Sequence, residues 1–346
     1  MVFILLNSKL EQIRIVEEYE SIIWTDRYFE AGEFELYTSA DTDLLQILAN
    51  NECLYMWSSI SNRLMFITGY EIETVYDEGS KLVVKGRSLE YLLNRRIVWD
   101  RITFKGSLND GIRKIINDNV INPKDSKRKI PNIYYQDSID SRILSMTTDF
   151  DFYGDNVYEA VIDLCRRHDV GIKMINDEND HFILSLYIGN DHSYDQTENP
   201  YVIFSPSYEN LGTSNFVKSI NNYRNVTQIV VSKDDNGNPT RIIELNPNNS
   251  SGMDRYEMFT DAVEADKEDS YYTGKGYDDL YDHKKVIAFE GQVEATKTFV
   301  YGKDFDIGDV VQIENEYGME SKSRVTELVL NQDSNVLEIY PTFEAV

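Results

Sequence analysis

The chain has 346 residues, a length that exceeds what one hydrophobic core usually serves and predicts two or three domains. Its 41% hydrophobic and 12% aromatic residues exclude a disordered or fibrous protein. The formal net charge of −26, from 34 Lys+Arg against 60 Asp+Glu, argues against stable binding to nucleic acid or to an anionic membrane.

The two cysteines, Cys53 and Cys165, are too few for a disulfide scaffold or a four-ligand zinc site. They indicate synthesis in a reducing cytoplasm. The N-terminal apolar run ends at Asn7, which is too early for a signal peptide, and no run has the roughly 18 apolar residues of a membrane span. We therefore expect a protein made without a classical export signal.

Residues 1–104 read mainly as short strands separated by turns. Residues 52–57 and 65–76 predict a hairpin, and only residues 44–48 and 89–93 have a helical pattern. This arrangement is typical of a small β-barrel or sandwich.

The periodicity changes at about residue 105. Ser107 is a candidate N-cap for a helix whose apolar face is Ile112, Ile115 and Ile116. A second helix is predicted between a cap at Asp155 and a stop at Gly171, and a hairpin follows over residues 172–187. Residues 105–190 therefore predict an inserted α/β module.

Strands return after residue 200, and Asn236-Gly237 predicts a tight turn. A polar, acidic insertion covers residues 246–284, and the strand–turn rhythm of residues 310–340 repeats that of residues 52–85. We predict a β-rich α+β fold with two similar small barrels. The first is residues 1–104, completed by 191–225, and the second is 226–346.

No pattern of catalytic or metal-binding residues is found. The four histidines lack metal-ligand spacing, with His168 expected as a positive imidazole at a helix end and His192 in a solvated turn. The loop from Asp234 departs from a calcium loop at its sixth and twelfth positions, so a turn is expected. We expect no enzyme activity, cofactor or metal. The one catalytic alternative left open is a carboxylate pair, because a glycosidase needs only two acids at the right separation in space.

Residues 24–36 are the most informative segment. Trp24, Tyr28 and Phe34 provide aromatic area for burial, and Gly32 permits a bend, where a positive φ is one reason for a glycine. Arg27 can donate hydrogen bonds to backbone carbonyls at that bend. We interpret the segment as part of the barrel architecture.

This segment and three others together resemble the hub family of siphophage tails, also called tail-associated or baseplate hub proteins. The second segment begins at Gly86-Arg87, and the third contains Asn199-Pro200. The fourth motif runs from Tyr301 to Val311, contains Gly308-Asp309 and is followed by Arg324. His192 stands where the family's loop is expected to have Arg. The resemblance covers nearly the whole chain.

The resemblance implies a homotrimer whose six barrels form a ring that joins the six-fold tail tube to the three-fold tip. The implied partners are a distal tail ring protein, a tape-measure protein and a tail fibre or receptor-binding protein, and the implied location is the virion tail. DNA would pass through the ring, and an acidic surface offers phosphate no contacts. Two alternatives remain open, a cell-wall hydrolase with a carboxylate pair and a carbohydrate-binding tail protein that uses exposed tyrosines.

Overall fold

The computed structural model describes residues 2–59, 61, 63–75, 79–264, 267–293, 298–333 and 336–346. Within them, the largest element is a 13-stranded sheet to which both ends of the chain contribute. Three smaller sheets of two, three and three strands accompany it. In the same residues no helix is long and apolar enough to cross a membrane.

The N-terminal part contains seven strands and one α-helix. Their bounds are β1 Phe3–Leu6, β2 Gln12–Val16, β3 Ser21–Arg27, β4 Glu33–Ser39, α1 Thr42–Asn50, β5 Tyr55–Ser58, β6 Leu64–Val75 and β7 Gly79–Ser88. The predicted hairpin is confirmed as the antiparallel pair β5–β6. The predicted helical segments are confirmed as α1 and as the 3₁₀-helix Leu89–Arg95.

The middle part combines helices with two small sheets. Its elements are β8 Ile102–Ser107, α2 Leu108–Ile116, β9 Ile133–Gln136, α3 Ser141–Leu144, β10 Thr147–Phe152, α4 Val157–Arg167, β11 Gly171–Asn176 and β12 Phe182–Tyr187. A π-turn, Asn117–Ile121, extends α2, and the 3₁₀-turn Ser126–Arg128 follows. Strand β8 pairs with β10, while β12 pairs with both β11 and β9, so the predicted hairpin is confirmed.

The remaining part returns to strands around one helix. Its elements are β13 Ile203–Phe204, β14 Leu211–Ser219, β15 Val226–Lys233, β16 Pro239–Leu245, β17 Glu257–Asp261, α5 Asp269–Asp282, β18 Val286–Val293, β19 Val310–Glu314, β20 Glu320–Asp333 and β21 Leu337–Ala345. The β15–β16 hairpin turns at Gly237, with φ of +83°. Asp234 accepts hydrogen bonds there from the backbone N–H groups of Asn236 and Asn238, which confirms the turn.

The order of strands in the main sheet is β14-β18-β21-β20-β3-β4-β7-β6-β5-β1-β2, and β19 joins β20 and β13. Strand β3 lies between its sequence neighbour β4 and the distant β20, with Trp24 opposite Leu330. The β-rich α+β class is confirmed. The pairings of the described residues form an open series, and the presence of two barrels stays a prediction.

Three apolar clusters hold these sheets together. The first lies on the main sheet and includes Trp24, Phe34 and Phe343. The second packs helices α2 and α4 against the neighbouring strands, and the third packs α5 on β15 and β16. Each large side chain fully buried in this way stabilises the fold by about 1.5–3 kcal/mol through loss of apolar surface to water.

Both predicted ends of α4 are wrong by one or two residues. The N-cap is Asn156, whose Oδ1 accepts hydrogen bonds from the N–H groups of Tyr158 and Glu159. The helix ends when Asp169 adopts a left-handed φ of 53°. Gly171 instead begins β11, where its missing Cβ leaves room for the Tyr28 ring.

His168 is also different from the prediction of a charged imidazole. Burial, and then the neighbouring Arg167, lower the pKa of His168 from 6.5 to about 4. Its buried Nε2 has no hydrogen-bond partner among the described residues. The imidazole is therefore neutral at pH 7, because desolvation outweighs the attraction of the helix end.

This histidine makes stability depend on pH. The unfolded chain binds a proton at His168 below pH 6.5 while the folded chain does so only near pH 4, so stability falls as the pH falls through this window. Between pH 7 and pH 4.5 the free energy of unfolding should fall in both proteins. After a discount for partial exposure, we expect this fall to be about 1–2 kcal/mol smaller in His168→Gln than in the wild type. Urea unfolding at both pH values measures this difference. Equal losses for the two proteins would contradict it.

Candidate functional site

The first motif forms the hairpin of β3 and β4 at the centre of the main sheet. Trp24 stacks on Phe34 with ring centroids 5.5 Å apart, and both side chains are fully buried. Gly86 on β7 lies beneath the Phe34 ring, where an added Cβ would come within 2.1 Å of Cε1. The first and second motifs are therefore packed together, and Gly86 is required by this close approach.

Arg27 closes the bend between these two strands. Its Nη1 donates to the carbonyl of Ala31 at 3.2 Å, as the sequence predicts. Its Nη2 and Nε bind Glu33 and Glu327, each at 2.7 Å. Arg87 binds the other carboxylate oxygen of Glu33 at 2.9 Å. Glu327 lies on β20, so this guanidinium also joins the two ends of the chain.

Gly32 lies in the same bend, but the reason for the glycine differs from the prediction. Gly32 is not among the described residues that have a positive φ. An added Cβ would instead lie 2.2 Å from the carbonyl oxygen of Thr25. Gly32 is thus explained by the close approach of two backbone segments.

Tyr28 lies where the main sheet meets the middle part of the chain. Its hydroxyl is within hydrogen-bond distance of the carbonyls of Asp169 and Tyr187, at 3.2 and 3.3 Å. Burial raises the pKa of Tyr28 and keeps the phenol protonated. Two glycines face the ring, Gly171 and Gly308, whose added Cβ atoms would lie 2.2 and 2.5 Å from it.

Arg324 covers this ring. Its guanidinium carbon lies 5.0 Å from the Tyr28 centroid, a distance that permits a cation–π contact. Nη1 donates to the carbonyl of Gly308 at 2.8 Å, and Nη2 binds Asp169 at 2.7 Å. Gly308 itself has φ of +93°, so it meets both demands that only glycine satisfies, a left-handed backbone and a close contact.

Asp309 connects the third and fourth motifs. Its two carboxylate oxygens accept hydrogen bonds from the backbone N–H groups of Asn190 and Asp306, at 2.7 and 2.8 Å. His192 lies 3.6 Å from Asp309, and its Nδ1 is 2.8 Å from the carbonyl of Pro200. Burial raises the pKa of Asp309, although these N–H groups oppose the shift.

The loop before β13 is held from the other side by Asn199, whose amide donates to the carbonyl of Asp191 at 3.0 Å. The prediction that His192 lies in a solvated turn is wrong, because only 8% of the residue is exposed. His192 packs between Pro200 and Asp309, which are more than 100 residues apart in the chain. A local sequence pattern cannot reveal such a contact.

A buried charge next to Trp24 was missed by the sequence analysis. Asp26 is fully buried, accepts hydrogen bonds from Tyr301 at 3.0 Å and Trp24 at 3.3 Å, and lies 3.8 Å from Arg63. Burial raises the pKa of Asp26, and Arg63 opposes this. Asp26 occurs in the first motif and Tyr301 in the fourth, but their spacing gives no sign of contact.

The structure thus brings the predicted motif residues into one system of contacts between chain segments, which we call the junction. Its members are Trp24, Arg27, Tyr28, Gly32, Phe34, Gly86, Arg87, Asn199, Pro200, Gly308 and Asp309, together with Asp26, His192 and Arg324. Its carboxylates bind backbone N–H groups, arginines or a tyrosine, an arrangement that fixes loops and aligns strands. Among the described residues, no three His, Cys, Asp or Glu side chains are placed to hold a metal ion.

Comparisons of the whole fold agree with a tail protein. The chain aligns with the 43 kDa tail protein of prophage MuSo2 from Shewanella oneidensis (TM-score 0.61, 13% identity, 100% of this chain and 98% of that chain). It also aligns with a tail protein from Neisseria meningitidis MC58 (TM-score 0.58, 10% identity, 99% and 96%) and with prophage tail protein gp18 from Listeria monocytogenes EGD-e (TM-score 0.54, 14% identity, 99% and 94%). No curated protein sequence matches the chain.

The fold is therefore that of phage tail proteins. The sequence matches the family described as Siphovirus ReqiPepy6 Gp37-like protein over residues 2–343, and the chain belongs to this family. The resemblance drawn from the four motifs is confirmed.

The junction predicts a specific effect at Gly32. We expect Gly32→Val to destabilise the fold by about 1–3 kcal/mol, because the new Cβ would overlap the Thr25 carbonyl. Gly69→Val on β6 is the matched control, since no atom lies within 4 Å of its added Cβ, and it should change little. Urea unfolding measures both. A Gly32→Val protein of full stability that fails to join the tail would indicate an interface role instead.

Proposed function

We propose that this protein is the tail hub, a homotrimer that closes the distal end of the tube of a phage or phage-tail-like particle. The observation that carries the proposal is the match of the whole fold to three tail proteins over 94–98% of their lengths. Each of these chains is nearly completely covered, so the shared unit is the whole chain rather than an accessory domain.

The proposal assigns the parts of the chain to the hub as follows. Residues 1–104 with 191–225 form the first barrel, residues 105–190 the inserted module, and residues 226–346 the second barrel with its polar insertion at about 246–284. Strand β3, assigned to the first barrel, pairs with β20, assigned to the second, which supports two barrels that are joined through one sheet. The main sheet ends at β2 and β14, and such edge strands present unpaired backbone groups with which another chain can pair.

In this role the hub joins a distal tail ring and a tape-measure protein on one side to a tail fibre or receptor-binding protein on the other. DNA would pass through the trimer without binding stably, because 60 acidic residues against 34 basic ones offer phosphate few partners. The location proposed is the tip of the virion tail.

The first test is the symmetry of the native particle. Imaging of intact tails should show three copies of the chain at the distal end, around a three-fold axis, because a closed ring leaves no surface for filament growth. Antibody labelling of an engineered peptide tag would locate the chain independently. A single copy, a two-fold arrangement or labelling along the tube would refute the proposal.

The second test concerns catalysis. The junction uses its carboxylates in structural contacts, so we expect the purified protein to leave peptidoglycan and teichoic acid intact during long incubation. Product release is measured by chromatography, with lysozyme as the positive control on peptidoglycan. Hydrolysis that a single acid-to-amide substitution abolishes would show that the protein is an enzyme.

A further inference from the structure

Positive charge is concentrated on one surface of this acidic protein. Residues 94–101 and 124–130 contain seven of the 34 basic residues and two of the 60 acidic ones. The part that matters here is the basic patch, which we define as Arg95, Arg96, Lys127, Arg128 and Lys129. Such a concentration is unexpected in a chain with a net charge of −26.

The two segments are held together by the fold. The Nε of Arg96 donates to the carbonyl of Arg128 at 2.5 Å, and Nη2 of Arg128 donates to the carbonyl of Ile97 at 2.8 Å. The Arg128 guanidinium carbon lies 4.9 Å from the centroid of the Trp99 ring. These contacts fix the positions of Arg96 and Arg128 and hold the two segments of the patch together.

No residue of the basic patch forms an ion pair with any other described residue. The flanking cations differ, because Arg101 binds Asp151 at 2.5 Å and Lys124 binds Asp100 at 2.8 Å. Burial, and then Arg128 and Arg95, lower the pKa of Arg96, as expected when like charges lie together without a counter-charge. Charges left uncompensated in this way favour an acidic partner.

Two exposed apolar residues accompany the cations. Trp99 is 60% exposed and Ile97 is 41% exposed, both beside the cations. Trp and Arg are the residues most enriched among those that dominate binding at protein interfaces. An exposed Trp and Ile in contact with Arg128 thus fit a protein surface that has both apolar residues and carboxylates.

The same chain carries a surface of this kind. Strand β2 is the last strand of the main sheet, and Ile13 and Ile15 on it are 37% and 41% exposed. The strand leads directly into Glu17, Glu18 and Glu20, which are exposed and form no ion pair among the described residues. These three glutamates line an open cavity of about 570 Å³ together with Arg14 and Val16, whereas Ile13 and Ile15 lie on the opposite face of β2. Arg14 is paired with Asp41 at 2.6 Å. We call Ile13, Ile15, Glu17, Glu18 and Glu20 the acidic edge.

We propose that the basic patch of one copy docks on the acidic edge of the next copy. On each side, uncompensated charges are accompanied by two exposed apolar residues in the adjoining chain segment, and the two charges are opposite. Contact between two different surfaces is head-to-tail, and it closes into a ring when the rotation permits. The inference rests on the proposed homotrimer and names the surfaces that form it.

A phosphate polymer is a less suitable occupant of the patch. The net charge of −26 opposes its approach at low salt, and such a ligand would leave the acidic edge without a partner. Docking between copies satisfies both surfaces at once, and it predicts that reversing the charge on both sides restores binding.

The test uses charge reversal in the full chain, with self-association measured by analytical ultracentrifugation at low and at high salt. Lys127→Glu with Lys129→Glu should weaken association at least about tenfold, and Glu17→Lys with Glu18→Lys should do the same. The protein that combines all four changes should recover association to within about threefold of the wild type. Salt near 0.5 M should weaken the wild type, since it screens the attraction.

The control is Lys105→Glu with Lys303→Glu. This variant changes the net charge by the same amount as Lys127→Glu with Lys129→Glu, but at positions outside both surfaces. It should alter association by less than about twofold. Circular dichroism checks folding, which substitutions at these exposed positions should not change. A wild type that stays monomeric at low salt, or a combined variant that remains as weak as its parents, would overturn the inference.

Two further outcomes distinguish this inference from the proposed function. Three copies at the tail tip, with no cross-link between Lys127 or Lys129 of one copy and the acidic edge of the next, would refute the docking but leave the hub standing. Polyphosphate binding that is lost with Lys127→Glu and Lys129→Glu, while self-association is unchanged, would assign the patch to a phosphate polymer instead.

Discussion

The structure depends on the antiparallel pairing of β3 with β20, which joins positions about 300 residues apart in the chain. Closing so long a loop costs conformational entropy that only a large set of contacts can offset. The junction supplies them. Arg27 bridges the two strands through Glu327, and Arg324 places a guanidinium over Tyr28 while it binds the Gly308 carbonyl. Without this pairing the first and last strands would have no common sheet.

Much of the junction is polar, and burial of these polar groups costs free energy of desolvation. Asp26 is fully buried, and burial raises the pKa of its carboxyl, so its charge must be compensated by the hydroxyl of Tyr301 and by Arg63. Buried ionic groups of this kind contribute little net stability, but removal of one partner leaves an uncompensated charge. Their contribution here is to alignment. Only one register of the strands lets these groups meet, and the same applies to Asp309 and its two N–H donors.

The arrangement also explains why a protein with few recognisable functional residues can have a specific role. A tail component acts through its shape, its edges and its surface charge. Among the described residues, the main sheet ends at β2 and β14, each of which is paired on one side only, and the basic patch and the acidic edge carry charges without an ion-pair partner. Assembly by complementary surfaces needs no nucleophile or metal. It needs rigid placement of those surfaces, which the junction provides.

The sequence alone determined the local elements and the family. Period-2 patterns and turn residues predicted the β5–β6 and β15–β16 hairpins, because strand alternation and Asn-Gly turns are properties of neighbouring residues. The order of four motifs identified the tail family. Only the tertiary structure decided which residues meet. The close approach at Gly32, the burial of His192 and the neutral state of His168 arise from segments far away in sequence, whose contacts leave no local signal. Burial and desolvation are set by packing, and packing is a property of the whole fold.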